Sequence, residues 1–179
     1  MAHRKARVLL DFGAKVYLEA PDILDVICSD PDIISKCKAF SPEDVTGMAL
    51  VVAATDDARL NHQISQVCQR KNIPVNAVDQ IEDCSFIFPS YLRQQDVVAA
   101  YSSSGKSPVV TQYLNRQTTD LVTPRLGVIT ALLGSIRKKV QQQVTTEAER
   151  KRIFEGLLQQ LLESEELPDE EELIRKLNK

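Results

Sequence analysis

The stretch Ala49-Leu50-Val51-Val52-Ala53-Ala54-Thr55-Asp56-Asp57 decides the fold class of this chain. Leu50 to Ala54 are all apolar, with no polar alternation, which fits a parallel strand buried on both faces. Thr55, Asp56 and Asp57 end it. From Ala58 to Lys71 the apolar residues Leu60, Ile64, Val67 and Cys68 recur at helical spacing, predicting an amphipathic helix with His62 and Arg70 on its solvated side. Ile73-Pro74-Val75-Asn76-Ala77-Val78 is then the next strand, closing at Asp79. Strand, crossover helix and strand in this order form a βαβ unit.

Working upstream, Ala6, Leu9 and Leu10 share one helical face, and Gly13 follows as a C-terminal cap, so the chain opens inside a helix. Lys15 to Ala20 is β-prone and stops at Pro21-Asp22; a helical piece from Ile23 to Cys28 and a strand from Ile33 to Phe40 follow. Ser41-Pro42-Glu43-Asp44 carries proline and acids where a helix begins, with Gly47 closing a short helix. Alternation of short apolar strands with amphipathic helices predicts a doubly wound α/β sheet, whose ligands bind beyond the carboxyl ends of the strands. Three such ends result: Glu19 to Asp22, Thr55 to Asp57, and Asn76 to Asp79. Asp79 is a candidate acid/base, or equally a turn or capping residue.

Downstream the pattern changes at Pro89. Phe86-Ile87-Phe88 and Val97 to Tyr101 read as strands joined by the polar turn Arg93-Gln94-Gln95-Asp96, a hairpin-like arm. Ser102 to Pro108 leads into a helix with Val109, Val110, Tyr113 and Leu114 on one side. From Thr123 onward the periodicity is helical: Leu126, Ile129, Leu132, Leu133 and Ile136 form one stripe, and Phe154, Leu157, Leu158, Leu161 and Leu162 a second. Pro168 opens an acidic helix with Leu173, Ile174 and Leu177. Such stripes make a core or a dimer seam.

Composition narrows the function classes. The chain has 179 residues, 43% hydrophobic and 26% charged, enough for one medium domain or two small ones. Its 22 basic and 25 acidic side chains leave a net charge of -3, so no general attraction to nucleic acid or acidic membranes is expected. No apolar run reaches the ~20 residues of a membrane helix, and no signal-type stretch follows Met1-Ala2-His3-Arg4-Lys5; a soluble, cytoplasmic protein is expected. Cys28, Cys37, Cys68 and Cys84 show no C-x-x-C spacing, so neither a zinc site nor a disulfide framework is expected, and His3 and His62 read as surface residues. Gly105-Lys106-Ser107 matches the end of a phosphate-binding loop, but the glycine needed five residues earlier is Ala100. A serine-rich loop entering a helix can still be a carboxylate site or a simple helix cap.

Ala49 to Asp57, Asn61, Val75-Asn76-Ala77-Val78-Asp79, Cys84-Ser85-Phe86-Ile87-Phe88-Pro89-Ser90 and Ser103-Ser104-Gly105-Lys106-Ser107-Pro108 stand in an order and spacing that resembles the precorrin-2 dehydrogenase family, the N-terminal module of siroheme synthases. The likeness runs from Met1 to about Arg152. It implies a Rossmann-like parallel sheet domain over 1–88, a dimerisation segment with a substrate loop over 89–120 and a helical domain over 121–179. It further implies NAD-dependent oxidation of precorrin-2 to sirohydrochlorin in siroheme or cobalamin synthesis, with ferrous iron insertion in some members, by a homodimer. Carried onto this sequence, Asp79 is the acid/base group. Ser103, Ser104 and Gly105 line the tetrapyrrole. Met1, Glu19, Pro21, Asp22, Thr55 and Asp56 face NAD, with Glu19 where a Rossmann acid meets the adenosine ribose.

The sequence departs from that family at its start, where members have a strand and a G-G-G-x-V-A-x-R-K loop and this chain has Met1-Ala2-His3-Arg4-Lys5. Either Met1 stands at the family's valine in a shortened version of the enzyme, or the protein is a tetrapyrrole-binding or metal-inserting dimer without dehydrogenation. A non-catalytic dimeric binding module is a third reading, against which the intact Asp79 weighs.

Overall fold

A computed structural model describes residues 1–177, with side chains described through Arg175. The chain divides into two compact units, Met1–Phe88 and Pro89–Lys179.

The first unit opens with helix α1 (Ala2–Asp11). Gly13, at φ +77°, ends it: the Gly13 and Ala14 N–H groups donate to Leu10 and Leu9 carbonyls at 2.8 and 3.0 Å. Strand β1 (Val16–Ala20), a one-turn helix α2 (Asp25–Cys28) and strand β2 (Ile33–Cys37) follow, with β1 and β2 parallel and Val16 opposite Ile33. Ala6, Val16, Ile23, Ile27 and Ile33 bury one another in a first core. Strand β3 (Val51–Ala53), helix α3 (Ala58–Arg70) and strand β4 (Val75–Ala77) form the βαβ unit read from the sequence, with Val51 opposite Val75. Their core is Val45, Ala53, Ile64, Val67, Cys68, Val75 and Ala77. Burial also pushes the Cys68 thiol above its ordinary pKa.

The parallel α/β pattern is present, but as two two-stranded sheets, β1-β2 and β3-β4, where one sheet was expected. Val51 and Val52 are only half-buried, not covered on both faces as their apolarity predicts. The short helix expected over Ser41–Gly47 is a run of turns. Asp44 and Thr46 N–H groups bond three residues back, to Ser41 and Glu43 carbonyls at 3.0 and 2.9 Å, and the Asp44 carboxylate takes the Ser41 N–H at 2.7 Å. This is a capping-box pattern, but the backbone bonds that follow it run three residues back and not four.

In the second unit, strands β5 (Ser90–Gln94) and β6 (Val97–Tyr101) form an antiparallel hairpin, with Ser90 opposite Tyr101. The first strand was expected at Phe86–Phe88. Those residues are pinned instead: Ser85 and Phe86 N–H both donate to the Val75 carbonyl, and Asn76 Nδ2 donates to the Phe86 carbonyl at 3.0 Å. The turn is narrower than the sequence suggested, with Gln95 left-handed at its tip (φ +55°) and Arg93 and Gln94 in the strand. Helix α4 (Pro108–Thr118) has the N-cap Ser107, and α5 (Pro124–Gln143) the N-cap Thr123, each with proline in the first turn. A Cβ on Gly127 would lie 2.9 Å from the Gln94 carbonyl oxygen, so α5 meets the hairpin at a residue without one.

Helix α6 (Glu147–Glu163) packs on α5, and α7 (Glu170–Leu177) closes the core of Ile129, Ile136, Val140, Leu157, Leu161 and Leu173. Arg125 Nη2 donates to the Leu161 carbonyl at 2.9 Å, and to that of Ser164, capping the end of α6 from α5. The last helix starts at Glu170 and not at Pro168, with Asp169 accepting from the Glu172 N–H at 2.7 Å. Leu162 is exposed, unlike the rest of its predicted stripe, and the place of Leu177 in the last stripe lies outside the described side chains. Among the described residues no helix is long and apolar enough to cross a membrane.

Candidate functional site

Three strand ends of the first unit and one loop of the second carry the predicted residues. At the end of β1, Glu19 is three-quarters buried between two lysines: Lys36 Nζ is 3.8 Å and Lys38 Nζ 3.4 Å from its carboxylate. Lys38 also pairs with Asp44; that contact is the main cause holding the Asp44 carboxyl below its ordinary pKa and the Lys38 ammonium above its own. Pro21 and Asp22 sit in an exposed bend directly after the strand.

Beyond β3 the chain is held by a residue of the following helix. Asn61, buried at 3% exposure, accepts through Oδ1 from the Thr55 N–H at 3.1 Å and from Thr55 Oγ1 at 2.8 Å, while its Nδ2 donates to the Thr55 carbonyl at 3.1 Å. Asp57 caps α3, accepting from Arg59 and Leu60 N–H at 2.8 and 3.3 Å. Thr55 is thus fixed and half-buried, and Asp56 is exposed beside it. Without Asn61 the Thr55 backbone groups lose their partners, a cost of about 1–3 kcal/mol.

At the end of β4, Asp79 is exposed and left-handed, at φ +60°. Aspartate enters this region more readily than most residues but still at a cost, so the surroundings must hold it. Cys84 does much of this. Its sulfur lies 3.2 Å from the Ala77 nitrogen and 3.2 Å from both the Ala77 and Gln80 carbonyls, folding the 79–84 turn back onto β4. Ser85 Oγ accepts from the Val75 N–H at 2.7 Å and anchors the far side.

Helix α1 contributes its N-terminus. Met1, the exposed N-cap residue, makes no side-chain capping bond, and the first turn of α1 holds no acid but carries Arg4 and Lys5. Lys5 Nζ stands 4.0 Å over the Phe88 ring. Burial, reinforced by Arg4, lowers its pKa, against the opposing pull of Cys84 and Asp79.

In the second unit, Ser103, Ser104 and Gly105 form the loop before α4, with Ser104 and Gly105 left-handed at φ +54° and +77°. Ser103 Oγ accepts from the Ser107 N–H at 2.9 Å, and Ser107 Oγ from the Val110 N–H at 3.4 Å. Ser107 thus caps α4, and Ser103 in turn holds the Ser107 N–H.

Sequence reading gave no structural role to three participants. Asn61 and Ser65 are polar at helical spacing within the buried face of α3, an interruption of the apolar stripe that signals a structural role. His62 is half-exposed, as predicted for a surface residue, but it is not solely solvated: Nδ1 lies 2.6 Å from Oδ1 of the buried Asp83. His3 likewise reaches Asp30, at 3.5 Å.

A family model for putative NAD(P)-binding domains matches residues 1–90. The siroheme synthase of Mannheimia succiniciproducens is 38% identical over 160 residues, covering 88% of this chain and 34% of that protein. The siroheme synthase of Methylobacillus flagellatus is 32% identical over 178 residues, covering 98% of this chain and 38% of its own length. The chain therefore spans about a third of the length of the curated relatives it matches. Among solved structures, SirC, a precorrin-2 dehydrogenase, superposes with a TM-score of 0.66 at 17% identity, over 90% of this chain and 88% of that one.

Proposed function

The chain belongs to the putative NAD(P)-binding family, with NAD as its cofactor, and from that premise we propose that it oxidises precorrin-2 to sirohydrochlorin. The observation that carries this reading is Asp79: an exposed carboxylate at the carboxyl end of a parallel strand, held left-handed by the Cys84 turn. The relatives named siroheme synthase and the fold shared with SirC supply the substrate class.

The residues present fit the cofactor. Basic side chains in the first turn of α1 suit a pyrophosphate, and Met1, Glu19, Pro21, Asp22, Thr55 and Asp56 lie at or beside the ends of β1 and β3 and the start of α1. Bound NAD supplies a hydride acceptor. Asp79 takes the proton that leaves the macrocycle when a carbon–hydrogen bond gives up its electron pair, so one hydride and one proton account for the two hydrogens removed. Ser103, Ser104 and Gly105 hold the carboxylate-rich edge of the substrate.

The test is aerobic-free turnover of the purified chain with precorrin-2 and NAD, followed at the nicotinamide absorbance and in the tetrapyrrole spectrum. Stoichiometric NADH and sirohydrochlorin are expected. Tetrapyrrole binding without NAD binding would instead favour a carrier or metal-inserting role.

The same reading makes the protein a homodimer. Helix α4 turns Val109, Val110 and Tyr113 outward at 71%, 51% and 53% exposure, an apolar face that a second copy would cover. Tyr113→Glu is expected to shift the sedimenting species from dimer to monomer at micromolar concentration; a wild type that sediments as a monomer overturns the assignment.

A further inference from the structure

We propose that His62 and Asp83 are a positioning pair that ties the Asp79 turn to helix α3, so that Asp79 meets its substrate in one orientation. The inference rests on the reading of Asp79 as the acid/base group. His62 sits in the second turn of α3, and Asp83 in a 3-10 turn (Ile81–Asp83) just after Asp79. The Asp83 carboxylate is buried, at 7% exposure, where an ionised group is costly unless partnered.

Its partners are directional. His62 Nδ1 lies 2.6 Å from Oδ1, and Gln66 Nε2 donates to His62 Nε2 at 2.9 Å, which leaves the imidazole proton on Nδ1 and aimed at Asp83. Oδ2 accepts from Gln80 Nε2 at 3.1 Å. Gln80 is the residue after Asp79, and the same amide donates to the Ala58 carbonyl at 3.1 Å, in the first turn of α3. Ser65 Oγ closes the set, donating to the Asp83 carbonyl at 2.6 Å.

An apolar residue at position 83 could fill the same space. A carboxylate there does something packing does not: it fixes the angle of the turn through bonds on both of its oxygens, one of them to the neighbour of Asp79. Gln80 keeps this arrangement although its Oε1 is buried without a partner. The start of α3 thereby holds two functional strand ends, Thr55 through Asn61 and Asp79 through His62, in one rigid element.

The experiment compares the full chain with His62→Ala and His62→Gln, the second keeping a side-chain amide that can donate to Asp83. Amide exchange is read at residues 80–84 and, for global stability, in α3 and β4; kcat and KM are read with precorrin-2. His62→Ala is expected to speed exchange in the turn about tenfold, to lower kcat about tenfold and to leave KM within about twofold, because misplacing a reacting group costs rate more than binding. His62→Gln should recover both to within about threefold of wild type. A His62→Ala variant with wild-type kcat overturns the positioning role in an active enzyme, as does equal loss in both variants with global destabilisation. A wild type that neither binds NAD nor turns over precorrin-2 removes the Asp79 reading itself, and the positioning role with it.

Discussion

Asp79→Asn is expected to slow precorrin-2 oxidation by about 10²–10⁴-fold, the range that a positioned general base contributes. The substitution is chosen for shape. Asparagine enters the left-handed region as readily as aspartate, so the φ of +60° is retained while the proton acceptor is lost. NAD affinity should stay within about threefold, because a group that acts only in the chemical step contributes to kcat and not to binding. Asp79→Ala adds backbone strain to the same chemical loss, and should therefore show both low turnover and faster exchange in the 79–84 turn. Full activity in Asp79→Asn, measured by single-turnover kinetics at saturating NAD, would sink the assignment of the base.

Ile136→Ala is the largest stability change expected. Ile136 is fully buried in the middle of α5, between Ile129 and Val140 and against Leu157, Leu161 and Leu173 of the two following helices. Deleting its side chain removes transfer energy and leaves a cavity that interlocked helices cannot close, at a cost of about 2–5 kcal/mol. Ile136→Val, which removes one methylene, should cost about 0.5–1.5 kcal/mol at the same site. Urea unfolding followed by helical circular dichroism measures both. Equal midpoints for the two variants would mean that the helices relax around the gap and that the core is looser than its burial implies.

How much of this was legible in the sequence depends on whether the deciding contact is local. The βαβ unit around Ala49–Asp79 was plain because apolar spacing reports burial directly, and Asp79 could be singled out because strand ends are where such sheets bind ligands. Its left-handed conformation was not readable, since the cause is Cys84, which folds back five residues later to bond Ala77 and Gln80. The turns over Ser41–Gly47 carry the residues of a helix start and even its capping bond, from the Ser41 N–H to Asp44, but the left-handed Gly47 ends the segment before a second turn. Phe86–Phe88 has strand composition and no strand partner, because Val75 and Asn76 claim its backbone. His62 and Asp83 each look like ordinary surface residues until α3 brings them together. Periodicity gives the elements, and long-range side-chain bonds decide where their ends point.

The two units differ in how far along the chain their strands must search for each other. Val16 finds Ile33 and Val51 finds Val75, each across an intervening crossover, whereas β5 and β6 meet around the tip at Gln95 and Asp96. Closing long loops before any contact rewards them slows folding, while hairpins and neighbouring helices form within microseconds to milliseconds. Of the two units, the one translated first therefore carries the strand pairings that are slower to form. During synthesis the partners of the hairpin emerge within a few residues of each other, whereas each parallel strand must wait for a partner beyond a crossover.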